Sequence, residues 1–189
     1  MRKNNLVNLI VDIFAFATVL IMFGYVGVDA VMVVLLIIAI PYLMITKRKH
    51  LIGSLFIAFM ISVVWKMIGG KYYHYSFNKL ILFGINLYPV FLWTFGLFTV
   101  ALVFYDINRF IRKKSSLTKF LIFSSLFWFG LLLSEWVVYN IFGIKNLATA
   151  SYSGIPFLNC IHAPLWMQIS YFLMGPLYFI LLKLFKRID

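Results

Sequence analysis

Charged side chains are scarce in this sequence. They make up 12% of the residues, only five of them are acidic, and hydrophobic residues make up 64%. A soluble domain carries about twice that share of charge, because its surface must be covered with polar groups. The composition therefore excludes an ordinary soluble domain and predicts a protein whose solvent is largely lipid.

Cysteine is nearly absent, since Cys160 is the only one. A single cysteine excludes an intramolecular disulfide and a cysteine-rich zinc site. A mixed metal site of His74, Glu135, Cys160 and His162 would contain suitable ligand types, but no two of them have the helical i, i+3 or i+4 spacing. The sequence also lacks motifs for nucleotide binding, a serine or cysteine triad, or a haem pair. We therefore expect no metal and no cofactor.

Long apolar runs are the main positive feature. A hydrocarbon core of about 30 Å takes about 20 helical residues, and six runs approach or exceed that length. They are Leu6–Val26, Ala30–Ile45, Leu51–Gly69, Leu80–Tyr105, Leu117–Ile141 and Trp166–Leu184. The expected fold is an all-α polytopic membrane bundle of six transmembrane helices, forming one membrane domain over residues 1–189.

Basic residues predict the orientation of this bundle. They concentrate at every second helix boundary, and of the seventeen only four fall elsewhere: Lys66, Lys71, Lys79 and Lys145. Because cytoplasmic loops carry the excess of lysine and arginine, we expect a multi-pass plasma membrane protein with both termini in the cytoplasm. The basic loops, Arg48 included, are expected to face membrane lipid headgroups. The net charge of +12 therefore does not indicate nucleic-acid binding.

Three ionisable residues fall inside predicted helices. Charges within a membrane are costly, so they are usually paired or functional. Asp12 is expected to make a polar contact with a neighbouring helix. Lys66 and Glu135 lie at similar predicted depth, which favours a salt bridge. In the alternative interpretation, Lys66 extends to the headgroups and Glu135 is protonated.

Aromatic and polar residues concentrate towards the predicted outer side. Glu135 and Tyr139 share one face of the fifth helix with Trp128 and Leu132. Together with two outer loops they predict an outward-opening pocket. We assign its substrate contacts to Trp65, Lys66, Tyr73, His74, Trp93, Trp136 and Asn159. The alternative is an interfacial aromatic belt, which would not require a glutamate, histidines and asparagines.

The third and fifth helices end alike, which predicts a duplication. Each carries a tryptophan before a terminal glycine, and each is followed by an outer loop and then a proline and a tryptophan. The matching residues are Trp65, Gly69, Pro89 and Trp93 in one copy, and Trp136, Gly143, Pro164 and Trp166 in the other. We therefore expect a parallel repeat of helical hairpins 3–4 and 5–6, as in several transporter folds.

Three short motifs within the segment from Trp65 to Asn159 point to a known family. They are Tyr73-His74-Tyr75-Ser76, the stretch from Gly84 through Pro89 to Trp93, and the stretch from Tyr152 to Asn159. In these motifs the chain resembles the integral-membrane carotenoid biosynthesis family that includes bisanhydrobacterioruberin hydratase.

This resemblance implies hydration of a terminal isoprenoid double bond. The catalytic residues would be Glu135, Tyr139 and His162. A carboxyl group removed from water holds its proton, so Glu135 would donate to the alkene. Trp65, Trp136 and Tyr139 would stabilise the resulting cation through their ring faces, and water would enter from the outer side.

Two other classes of function stay open. A small transporter, or a substrate-binding membrane subunit, fits six helices and pocket-like outer loops. It also needs a polar path towards the cytoplasm, where the sequence offers little besides Asp12. A non-catalytic accessory protein would use Gly130, Gly143 and Gly175 to contact the helices of a membrane protein partner. The alternative for these glycines is close packing within the bundle.

Overall fold

The computed structural model of the chain describes residues 2–25, 28–75, 81–82 and 85–188. Within these residues the chain forms six helices, which confirms the prediction of an all-α fold. They are α1 (Arg2–Tyr25), α2 (Val28–Ile45), α3 (Ile52–Gly69), α4 (Tyr88–Asn108), α5 (Ser116–Trp136) and α6 (Leu165–Leu184). Short 3₁₀ turns, Lys49–Leu51 and Gly70–Tyr72, flank α3, and a π-helical turn, Val137–Ile141, extends α5.

Four helical segments of the described chain are long and apolar enough to cross a membrane. They are Lys49–Tyr72, Tyr88–Asn108, Ser116–Ile141 and Leu165–Leu184. Shorter apolar stretches, Val7–Met22 and Ala30–Ile45, lie within α1 and α2. Large apolar side chains also cover the outside of the bundle: Phe14, Ile37, Phe56 and Phe129 are each more than 60% exposed. An apolar surface of this extent supports a membrane protein.

The fourth helix begins later than the sequence predicted. Its predicted start, Leu80, lies outside the described residues, as does the predicted end of the first helix, Val26. α4 starts at Tyr88, and Ile81–Leu82 pairs antiparallel with Ile85–Asn86 before it. A short apolar run cannot be assigned to helix or strand from periodicity alone, and here two short paired strands take described residues that the sequence assigned to the helix.

The fourth helix occupies the middle of the bundle. α4 contacts α1, α2, α3 and α5, while α6 packs against α3 and α5. A glycine permits the close approach of α5 and α6: a Cβ atom at Gly175 would lie 2.3 Å from the ring of Phe127. Gly143 has a φ of +65° where the helical segment ends. Both glycines therefore have a role within the bundle.

A buried ion network joins α1, the connection between α2 and α3, and α4. The guanidinium group of Arg48 lies 2.7 Å from Asp12 of α1 and 3.3 Å from Asp106 of α4, and all three side chains are at most 2% exposed. Arg48 also donates to the Tyr42 hydroxyl at 2.7 Å and to Thr46 at 3.2 Å. The Tyr42 hydroxyl in turn donates to Asp12.

The contacts of this network test the predictions made from the sequence for Asp12 and Arg48. The polar contact predicted for Asp12 is confirmed. The prediction that Arg48 faces headgroups is wrong, because its side chain is buried among the two carboxylates. All five N–H donors of Arg48 are used, which offsets the cost of burying its charge. A carboxylate oxygen of Asp106, Oδ1, has no hydrogen-bond partner in the described residues.

Candidate functional site

A cavity of about 670 Å³ runs between α1, α4 and α5. Its walls are mainly apolar and include Phe16, Leu20, Leu92, Phe95, Phe127 and Leu131. Specific small-molecule sites typically have volumes of about 300–1,000 Å³ and mostly apolar walls with a few polar groups. This space, which we call the central cavity, therefore has the size and lining of a ligand site.

Half of the residues predicted for the site line this cavity. Glu135, Tyr139, His162, Tyr73 and Trp93 all contribute to its wall. The three predicted catalytic residues are thus placed in one space although His162 comes from the loop after α5. The helix spacing of Glu135 and Tyr139 accounts for their shared face.

Glu135 supplies an uncompensated carboxyl group to the cavity. Its side chain forms no hydrogen bond or salt bridge with any residue that the structure describes. The salt bridge expected with Lys66 is therefore not formed: the Lys66 ammonium group donates instead to the Gly70 carbonyl at 3.3 Å. An ionised carboxyl group is costly to bury among apolar walls when the described residues place no cation beside it.

Tyr139 and His162 stack at the same end of the cavity. Their ring centroids are 4.3 Å apart with an interplanar angle of 14°, and the Lys145 ammonium group lies 5.0 Å from the Tyr139 ring centroid. The pKa of His162 is lowered from its usual value by burial and by the positive charge of Lys145. His162 Nδ1 is buried without a hydrogen-bond partner among the described residues, so protonation would place an unsatisfied N–H there.

The Tyr73 hydroxyl is the centre of a second aromatic group. It accepts hydrogen bonds from the indole N–H groups of Trp65 at 2.6 Å and Trp93 at 3.0 Å. The hydroxyl of Tyr171 lies 2.8 Å away. Because both lone pairs of Tyr73 are occupied, its own proton points to Tyr171. The Tyr171 proton is then free to serve a ligand, since Tyr171 also lines the cavity.

Burial raises the pKa values of two further groups close to this part of the cavity. The pKa of Tyr73 is raised above its usual value, and the pKa of the Cys160 thiol is raised to about 11.

Asn146 holds the two loops at this end of the bundle together. Its side-chain oxygen accepts from the His74 backbone N–H at 3.0 Å, and its amide group donates to the Tyr72 carbonyl. The Leu147 N–H donates to the His74 carbonyl at 2.7 Å. These bonds fix the loop that carries His162 against the segment that carries Tyr73.

The other predicted substrate contacts lie elsewhere. Lys66 and His74 do not line the central cavity, and His74 is exposed. Trp136 is 41% exposed. Asn159 is exposed in a turn with a φ of +47°. Trp65 belongs to a groove between α3 and α6. It contacts the aromatic group of the cavity through its hydrogen bond to Tyr73 and through an edge-to-face ring contact with Tyr171, whose centroid is 5.6 Å away.

Sequence reasoning missed several residues of the site. Asn146 was not assigned to the pocket, and neither was the far end of the cavity, where Asp12 and Tyr42 form part of the wall. Tyr171 had a visible signal, because it shares one side of the sixth helix with Gln168 and Gly175, and this side was predicted to face the pocket. Asn146 had none, since a single asparagine in a loop does not indicate its partner. No group of three metal-ligating side chains occurs among the described residues.

No family model, curated protein or solved structure matches this chain. The resemblance to the carotenoid biosynthesis family stays a prediction. Two residues of its motifs, Ser76 and Gly84, lie outside the described residues. The chemistry of the site therefore has to be argued from its own geometry.

Proposed function

We propose that this chain is a multi-pass plasma membrane protein that binds an isoprenoid or a similar lipid in the central cavity and hydrates a terminal double bond. The observation that carries the proposal is the carboxyl group of Glu135, which faces a long apolar cavity without a counter-charge in the described residues. Apolar walls suit a hydrocarbon ligand, and a single acid suits protonation of an alkene.

The reaction would proceed in two steps. The Glu135 carboxyl group donates its proton to the terminal carbon–carbon double bond, which gives a tertiary cation and a carboxylate. Aromatic faces at Tyr139, Tyr73 and Trp93 stabilise the cation. Water then adds to the cation and returns a proton to Glu135, so that the net change is the addition of one water molecule.

The polar end of the cavity supports the entry of water there. Tyr139, His162, Asn146 and Thr149 all line this end. These side chains are hydrogen-bonding groups, whereas the walls contributed by α1 are apolar apart from Asp12. An elongated substrate would therefore lie along the apolar part with its reacting end at Glu135.

The same proposal includes the membrane topology. Six transmembrane helices with both termini in the cytoplasm would place Glu135 towards the outer side and Arg48 towards the inner side. The parallel repeat of hairpins α3–α4 and α5–α6 is part of this proposal. It is supported by the matching tryptophan, glycine and proline positions in the sequence.

Hydration of lycopene, an acyclic carotenoid with terminal isoprenoid double bonds, tests the proposal. The purified protein in nanodiscs is incubated with lycopene in water labelled with oxygen-18, and the product is analysed by mass spectrometry. We expect one labelled water to be added per reacted end. Glu135→Gln should lower the rate about 100-fold or more, as expected when a general acid is lost.

Two variants make the result specific. Gly130→Leu directs a side chain into open space of the cavity wall and should reduce the amount of lycopene that stays bound. Asn140→Gln changes an exposed amide on the next helical turn, outside the cavity lining, and should hydrate as the wild type does. Hydration by Glu135→Gln at the wild-type rate would disprove the catalytic role of Glu135.

A small transporter is the second candidate, and one observation favours it. The cavity extends from Glu135 to Asp12 and Tyr42, so acidic groups stand at both of its ends. This supplies the second polar region that the sequence did not indicate. If lycopene binds without any hydration while proteoliposomes move a lipid or isoprenoid ligand across the bilayer, transport replaces the hydratase proposal.

A further inference from the structure

A second concave surface lies on the outside of the bundle, between α3 and α6. This groove has a volume of about 710 Å³, and its walls are almost wholly apolar. Along α3 it extends from Gly53 to Ile68, which at 1.5 Å per residue corresponds to about 22 Å. The groove is therefore long enough to hold one hydrocarbon chain through a leaflet, which is about half of a 30 Å core.

One end of the groove carries an uncompensated positive charge. The guanidinium group of Arg187 lies against the backbone of Gly53, where an added Cβ would be 2.5 Å from its central carbon. Arg187 is exposed, and its side chain forms no salt bridge or hydrogen bond with any residue in the described part of the chain. Because no anion among the described residues contacts Arg187, its guanidinium group is suited to bind an anionic ligand such as phosphate.

The walls of the groove distinguish a lipid chain from a partner helix. Its exposed side chains are bulkier than glycine, alanine or serine, and include Phe56, Met60, Val64, Leu173 and Leu177. Interfaces between membrane helices favour small residues, which let the two backbones approach closely. The one glycine of the groove, Gly53, is covered by Arg187. The Ser170 hydroxyl group donates a hydrogen bond to the Trp166 carbonyl at 2.8 Å.

We propose that the groove between α3 and α6 binds one anionic diacyl phospholipid, with an acyl chain along Phe56, Met60 and Leu173 and its phosphate at Arg187. The site is separate from the central cavity and does not depend on the hydratase proposal. Its specificity comes from the combination of one charge and one apolar channel, since the guanidinium group recognises phosphate by paired hydrogen bonds.

The test compares binding of phosphatidylglycerol and phosphatidylcholine to the whole protein by native mass spectrometry. The wild type should prefer phosphatidylglycerol, and Arg187→Gln should lower that preference about fivefold, the effect expected for one basic residue at an anionic membrane surface. Arg112→Gln is the matched control, because Arg112 is an exposed arginine of another basic loop. It should retain the wild-type preference.

A second variant tests the channel without changing any charge. Leu173→Trp narrows the groove and should reduce retention of both phospholipids, while Arg187 remains in place. Phosphatidylglycerol carrying a photoreactive acyl chain should label residues of α3 and α6 in the wild type, and Leu173→Trp should reduce that labelling. The proposal is overturned if Arg187→Gln and Arg112→Gln bind alike, or if labelling is spread evenly over exposed residues such as Phe14 and Ile37.

Discussion

The Arg48 guanidinium group contacts the Asp12 carboxylate through two hydrogen bonds, of 2.7 and 3.1 Å, although 36 positions separate the two residues in the sequence. A paired geometry of this kind fixes both the distance and the relative rotation of the two groups. It therefore ties α1 to the connection between α2 and α3, and Asp106 ties the same point to α4.

Removing the arginine should be strongly destabilising. Arg48→Met leaves two buried carboxylates without their cation, and loss of one partner of a buried ion pair costs about 3–5 kcal/mol. The free energy of unfolding, measured by titration with denaturing detergent, should fall by that amount. Arg112→Met, at an exposed position, should change it by less than about 0.5 kcal/mol, and equal losses in the two variants would contradict a structural role of the network.

The two aspartates should respond differently to loss of charge. Asp12 accepts three hydrogen bonds from Arg48 and Tyr42, whereas Asp106 accepts one contact at 3.3 Å and leaves Oδ1 without a partner in the described chain. Asp12→Asn should therefore be destabilising by about 2–4 kcal/mol, and Asp106→Asn by less than about 1 kcal/mol. Thermal unfolding of both variants provides the comparison, and the reverse order would show that Asp106 is the main partner of Arg48.

The Tyr73 hydroxyl should be needed by two tryptophans at once. Tyr73→Phe removes the acceptor of both indole N–H groups, Trp65 and Trp93, and each buried donor left unsatisfied costs about 1–3 kcal/mol. Tryptophan fluorescence should shift and the melting temperature should fall. Tyr152→Phe is the control, because Tyr152 is 41% exposed. If Tyr73→Phe has the same melting temperature as Tyr152→Phe and the wild type, the Tyr73 hydroxyl is not a stabilising acceptor for both tryptophans.

Two helical glycines should respond oppositely to a methyl group. Gly175→Ala places a Cβ 2.3 Å from the Phe127 ring, so we expect a loss of about 1–3 kcal/mol through overpacking. Gly96→Ala meets no heavy atom of the described chain within 4 Å and should be stabilising by about 0.5–1 kcal/mol, because alanine is the better helix former. The free energies of unfolding of the two variants, measured by titration with denaturant, test this expectation. If Gly175→Ala leaves the free energy of unfolding unchanged, α5 and α6 pack less closely than the structure shows.

Acidification should weaken the fold through His162. Its pKa is lowered in the folded protein by burial and by Lys145, so the unfolded chain takes up the proton first as the pH falls. The contribution to stability is complete above the unfolded pKa of about 6.5 and decreases below it. The melting temperature of the wild type should therefore fall more steeply between about pH 7.5 and 5 than that of His162→Phe. If the melting temperatures of the two proteins fall equally with pH, protonation of His162 does not contribute to the loss of stability.

The helices and part of the site could be predicted because their signals are local. Apolar runs of about 20 residues fix the helices to within a few positions, and the spacing of Glu135 and Tyr139 places both on one face. The start of α4 could not be predicted, since the strand pair before it is as apolar as the helix itself.

The ion network and the aromatic centre at Tyr73 depend on tertiary contacts. In the sequence Arg48 looks like its neighbours Lys47 and Lys49, and nothing local indicates that it alone of the three is buried. Lys66 and Glu135 have similar predicted depths, but depth does not specify rotation about the bundle axis. The pairing of long charged side chains therefore cannot be predicted from the order of residues along the sequence.

The π-helical turn Val137–Ile141 restricts how the length of this chain can vary. Its Phe142 N–H donates five residues back, to the Val137 carbonyl at 3.2 Å, so the turn accommodates one residue more than an α-helix would. Since each helical residue advances the chain by about 100° around the axis, deletion of a single residue would carry the following loop, and with it His162, away from Tyr139. In descendants or relatives of this protein, substitutions in this turn other than at Tyr139 should be tolerated far more readily than insertions or deletions.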